Sequence, residues 1–179
     1  MKLLPKDRLC IITSLSPAEV QKQMQLNVSP KPEWSFESLF ADTGNKYFTG
    51  TVENARFEII RIIQGRNSFL PVIKGHTEPW LNGSRIYINM RLQLFVAVFM
   101  CFWLGGVGLG GVGLLISGLM SGQFSPAMLI PFGMFALGYA MMIGFYSFER
   151  NKAKELLLQI VDGQIDDTAF YYDRKTLTK

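Results

Sequence analysis

From Leu92 to Phe148 the chain reads LQLFVAVFMCFWLGGVGLGGVGLLISGLMSGQFSPAMLIPFGMFALGYAMMIGFYSF, 57 residues without Asp, Glu, Lys, Arg or His. A soluble domain in a chain of 179 residues has too little interior to hide so long an uncharged apolar stretch, so a purely aqueous globule is excluded. The flanking residues, 1–91 and 149–179, suffice for one modest domain. Two spans fit inside the run, about 93–116 and about 126–147. Each is close to the ~20 residues that a helix needs to cross ~30 Å of hydrocarbon. Between them, Ser117 to Ser125 holds the small and polar residues of a turn, and Pro126 suits the first turn of the returning helix.

Orientation follows from the basic residues at the span ends. Arg85 and Arg91 precede the first span, Arg150, Lys152 and Lys154 follow the second, and the connecting turn has none. Both termini are therefore expected in the cytoplasm. The start of the chain has no apolar stretch of signal-peptide length, so the internal spans are expected to direct insertion.

The first span is glycine-rich, and Gly106-Val107-Gly108-Leu109-Gly110-Gly111 is a formal G-x-G-x-x-G match. Its surroundings are uniformly apolar and no acidic residue lies ~20 positions on to hold a ribose, so a dinucleotide site is rejected. The steric reading is that Gly106 and Gly110 let another helix backbone approach. Ala136, Ala140 and Gly144 form a matching small stripe on the second span. Pairing within the helical hairpin and dimerisation between chains both satisfy this pattern. Neither span holds an ionisable residue of the kind that pumps and proton relays place at membrane depth.

The net charge of +4 is unevenly placed. Residues 1–53 and residues 149–179 each carry six basic and six acidic side chains, so the excess lies in 54–91. There Arg56, Arg61, Arg66, Lys74, Arg85 and Arg91 face only Glu58 and Glu78. A basic segment leading into a bilayer is drawn to anionic head groups by about 1 kcal/mol per residue at the surface. Arg61, Lys74, Arg85, Arg91, Arg150 and Lys152 are the expected lipid head-group contacts. Nucleic acid is the weaker reading, since no nucleic-acid motif accompanies the charge.

In the polar part, Ser16-Pro17-Ala18-Glu19 is a capping box opening a helix over about 17–26, after a strand over 8–13. Residues 27–35, with Pro30 and Pro32, read as a connecting loop. From Lys46 the apolar period becomes two, giving strands through Phe48–Val52, Phe57–Ile63, Phe69–Glu78 and Arg85–Arg91. The expected fold class is α+β. A small antiparallel meander sheet over about 46–91 joins an N-terminal helix and a C-terminal amphipathic helix. The transmembrane hairpin of 92–148 interrupts this cytosolic domain, which residues 149–179 complete. Pro71 suggests an edge strand or a bulge. Ala153, Leu156, Leu157, Ile160 and Val161 recur at helical spacing up to a stop at Asp162-Gly163, and that stripe is expected to dock on the apolar face of the sheet.

Chemistry-bearing residues are sparse. Cys10 and Cys101 fall in different environments and are read as reduced thiols. His76 is the single histidine, which leaves almost no raw material for a histidine-based zinc or haem site. Asp162, Asp166 and Asp167 read as a solvated acidic turn. His76 and Glu78 share a strand face as a polar pair, and Ser14, Ser16 and Ser84 lack a histidine partner for hydrolysis. Arg66-Asn67-Ser68 is turn chemistry. Trp80, with Tyr87, is placed near the head groups, and Trp103 in helix packing. No catalytic residue, metal or cofactor is assigned.

The order of strand, capped helix, meander and long final helix resembles the helix-grip plan of START-like domains. That resemblance implies an apolar ligand clasped between the sheet and the last helix. Phe48-x-Gly50-x-Val52, Arg66-Asn67-Ser68-Phe69-Leu70-Pro71-Val72-Ile73-x-Gly75 and Met90-Arg91-Leu92 resemble uncharacterised bacterial two-span membrane proteins, which implies a bacterial inner membrane and no particular activity. The expected function is non-enzymatic: a membrane-anchored cytosolic domain that binds a partner protein or anionic phospholipid. The alternatives are a START-like lipid carrier or sensor, and an oligomeric membrane effector or immunity protein acting through its glycine-rich spans.

Overall fold

The computed structural model describes residues 4–30, 46–63, 65 and 67–166. Arg66, Asp167, the Phe170-Tyr171-Tyr172 segment and most of the loop expected at 27–35 lie outside them. The chain is α+β, with one mixed sheet and three α-helices. In chain order these are β1 (Lys6–Thr13), α1 (Pro17–Asn27), β2 (Val28–Pro30), β3 (Phe48–Glu53), β4 (Arg56–Arg61), β5 (Pro71–Trp80) and β6 (Gly83–Leu92). Then follow α2 (Leu94–Met120), a 3-10 turn (Pro126–Leu129), α3 (Ile130–Val161) and β7 (Gly163–Ile165). The sheet has seven strands in the order β2-β3-β4-β5-β6-β1-β7. All neighbours are antiparallel except β2 and β3, which run parallel.

The sheet is larger than the sequence pattern indicates. β1 joins it by pairing along β6, and the three-residue strands β2 and β7 extend its two sides. Pro71 is neither at an edge nor in a bulge. It opens β5, a central strand, opposite Leu92, and a first strand position tolerates the missing N–H.

One face of the sheet carries Leu9, Ile11, Phe48, Phe57, Ile59, Ile73, Ile86, Ile88 and Met90 into a core closed by Val20 and Met24 of α1 and by Ala153, Leu157 and Val161 of α3. Gly75 belongs to this face because the Phe57 ring occupies the space where a Cβ would stand. Ser16 caps α1 with the reciprocal bonds read from the sequence: its N–H donates to Glu19 Oε2 at 2.8 Å, and the Glu19 N–H donates to Ser16 Oγ at 3.4 Å.

Two helices are long and apolar enough to cross a membrane. α2 has 27 residues, about 40 Å at the helical rise. α3 has 32 residues and runs without a break from the apolar segment onto the sheet. Both leave large apolar side chains outside, with Phe102 of α2 83% and Leu137 of α3 64% exposed, the reverse of a soluble core helix. Where the two meet, Gly138 accommodates the Trp103 ring and Gly111 lies against Pro131 and Phe132. Leu92, Val96, Ala97, Met100, Leu104, Met142 and Tyr146 form a second buried cluster beneath the sheet.

Candidate functional site

The site is the junction at which α3 leaves its apolar segment and meets the sheet. Three contacts fix it. The hydroxyl of Tyr146 donates to the Met90 carbonyl of β6 at 2.9 Å. One turn on, Glu149 is 5% exposed and accepts from Arg61 of β4, through Nε at 2.9 Å and through Nη2. Arg150 reaches Asp7 of β1 at 3.5 Å. A buried carboxylate is tolerated because a guanidinium neutralises it and donates twice to its Oε2. Three strands thus grip one helix where its uncharged run ends.

Beside this grip opens a cleft of about 1220 Å³ between α3 and the β4–β5 connection. One end is lined by Ala140, Met141, Gly144 and Phe145, the other by Arg61, Asn67, Ser68, Glu149 and Lys152. Phe69 stacks on Phe145 with centroids 6.2 Å apart and holds the connection against α3. The Asn67 side chain accepts the Phe69 N–H at 3.0 Å. Lys152 Nζ folds back to 4.2 Å from the centre of the Phe148 ring. Polarity therefore changes along the cleft in the same direction, and at the same level, as along α3.

On the outer face of the sheet, Lys6 lies directly opposite Arg91. Both are exposed. Like charges opposed across strands are unfavourable, and these two stand one residue from the start of the apolar cluster at Leu92. With Leu4, Leu94 and Ala97 they border a groove whose far end is the Lys74–Glu58 pair, 2.5 Å apart.

The expected head-group residues therefore divide. Arg61 and Lys152 line the cleft, Arg91 lines the separate groove on the outer face, and Arg150 pairs with Asp7. Lys74 is paired and stands further along β5. Arg85 lies about 24 Å from Leu92 along β6 at the strand rise. There it bonds Asp166 at 3.0 Å and stacks on Trp80, 3.6 Å from the ring centre. The path along α3 agrees: Tyr146 is level with Met90, whereas Val161, about 22 Å further along the helix, accepts from Thr13, the register partner of Ser84. With a screening length of ~8 Å, Arg85 has no part in contacts near Leu92. Trp80 is likewise at the far end of the β5–β6 hairpin, opposite Gly83 and away from Leu92.

The small-residue stripes are also differently placed from the intra-hairpin reading. A Cβ on Gly106, Gly110 or Gly144 would meet nothing within 4 Å, and Ala136 and Ala140 are exposed. The contact between α2 and α3 instead uses Gly108, Gly111 and Gly138, and Gly118 lies against Met128 of the 3-10 turn.

Lys6, Tyr146 and Glu149 were not singled out by sequence. The available signal for Glu149 was its position as the first charge after 57 uncharged residues. Nothing local pairs it with Arg61, 88 positions earlier. Among the described residues no three His, Cys, Asp or Glu side chains are grouped as metal ligands. His76 stacks on Tyr87 at 5.1 Å and lies 3.3 Å from Glu78. Cys10 is fully buried, and burial pushes its thiol up to about 11, against a lowering by Arg85, which keeps it protonated and unreactive near neutral pH. The chain matches no protein-family model, no curated protein and no solved structure.

Proposed function

We propose that this chain is a non-enzymatic integral protein of a bacterial inner membrane, crossing it twice with both termini in the cytoplasm. Its α+β domain stands on the cytoplasmic leaflet and binds anionic lipid through the edge that carries Lys6, Arg91, Arg150 and Lys152. The observation that carries this reading is the opposed Lys6–Arg91 pair beside the first apolar helix. Anionic head groups offset that repulsion, with each cation contributing about 1 kcal/mol near the surface. The far end of the sheet, where Leu81 is 90% exposed beside Trp80, is left for a protein partner.

The test uses the full chain in nanodiscs. Thermal unfolding is compared in phosphatidylglycerol-rich and phosphatidylcholine discs, for the native chain and for Lys6→Glu with Arg91→Glu. The reading expects a higher midpoint in anionic lipid that salt weakens and the double charge reversal removes. Equal midpoints in both lipids contradict it.

The outward position of Gly106 and Gly110 favours a second reading, an assembly of several copies through these faces, as an oligomeric effector or immunity protein requires. Loss of a cross-linked oligomer in Gly106→Leu with Gly110→Leu is its expected outcome. The START-like carrier reading has less support. A side chain bordering a water-sized void keeps accessible surface, yet Phe48, Ile59, Ile73, Met90 and Ala153 between sheet and helix are 0% exposed. That interface is packed shut.

A further inference from the structure

We propose that the cleft between α3 and the β4–β5 connection holds one anionic glycerophospholipid, with an acyl chain along Ala140, Gly144 and Phe145 and the phosphate beside Lys152 and Arg61. This deepens the lipid reading above and rests on α2 and α3 crossing a bilayer.

Three features of the cleft specify the occupant. Its ~1220 Å³ exceeds the ~300–1,000 Å³ of a compact small-molecule pocket, and it is a broad, open cleft that a long amphiphile can enter. Its lining passes from apolar to charged at Phe148–Glu149, where the uncharged run ends, so a lipid seated there keeps its tail in hydrocarbon and its head in the interface. Among the described lining residues the formal charge also matches: Arg61 and Lys152 against Glu149 leave one positive charge, the complement of one phosphodiester. Asn67 and Ser68 supply polar groups for the glycerol and ester oxygens. Small side chains at Ala140 and Gly144 make room for the chain, since a Cβ on Gly144 would meet no atom within 4 Å.

That open space suits an experiment, because a side chain added at Gly144 starts into free space beside the cleft. The full chain is reconstituted in nanodiscs of mixed phosphatidylglycerol and phosphatidylcholine and then released for native mass spectrometry. The native chain is expected to retain one phosphatidylglycerol per protein. Ala140→Phe with Gly144→Phe should reduce the retained fraction at least tenfold, and Lys152→Glu should abolish the preference for the anionic lipid. Near-ultraviolet circular dichroism reports whether the filled variant keeps its tertiary packing. Lys152 is exposed, so its reversal tests the site without disturbing the core. Retention unchanged by filling, no retained lipid in the native chain, or a lipid-free dimer with the cleft covered by a second copy each overturns the proposal. Failure of the cleft leaves the salt-sensitive effect of Lys6 and Arg91 in place, whereas failure of the broader reading removes that effect too.

Discussion

Tyr146, in the last apolar turns of α3, donates its hydroxyl to the Met90 carbonyl at 2.9 Å, and both residues are buried. One bond thus joins the apolar helix pair to the middle of the sheet. Tyr146→Phe keeps the ring and leaves that carbonyl without its side-chain donor. The expected cost is about 1–3 kcal/mol, read as a lower denaturation midpoint of the full chain in detergent. An unchanged midpoint would show that the bond has no part in coupling the helices to the sheet.

Arg61 and Glu149 should behave as a unit. Arg61→Met leaves the buried Glu149 carboxylate unpaired, at a cost of about 3–5 kcal/mol, and Glu149→Gln leaves the partly buried Arg61 without its counter-charge at a smaller cost. The double variant should lose clearly less than the two single losses added together. A double-mutant cycle on unfolding free energies checks this, and strict additivity would contradict the pairing.

The linear pattern makes some of this legible and hides the rest, for physical reasons. The uncharged run, the capping box at Ser16 and the alternation in β6 are local signals, written in adjacent residues, and the structure carries them as read. β2 and β7 have three residues each, too short for a period, and exist only because β3 and β1 offer them partners. The direction of Gly106 and Gly110 depends on how α2 leaves Leu92, which composition does not encode. Arg85 reads as a juxtamembrane cation because it is near the span in sequence. A strand, however, advances ~3.4 Å per residue, and so separates residues that a helix would keep together.

The Cys10 thiol gives a pH dependence with a definite sign. Its folded value of about 11 lies above the ordinary 9.0, so below pH 9 both folded and unfolded states hold the proton and the group is neutral to stability changes. Above pH 9 the unfolded chain ionises first, and stability falls as pH rises towards 11. Cys10→Ala should show a shallower loss of stability over that window than the native chain. In native conditions at pH 8, a thiol reagent should leave Cys10 unmodified until denaturant is added. Rapid modification of Cys10 without denaturant would contradict its burial.

A helix pair that crosses the bilayer twice leaves the whole sheet on one side of it. Single cysteines at Asn82 and Ser121, both exposed, are placed in a chain with Cys10 and Cys101 replaced by alanine. Each is then probed with a membrane-impermeant maleimide in sealed vesicles of known orientation. Labelling of Asn82→Cys is expected only from the cytoplasmic side and of Ser121→Cys only from the opposite side. Labelling of both positions from the same side would contradict that crossing.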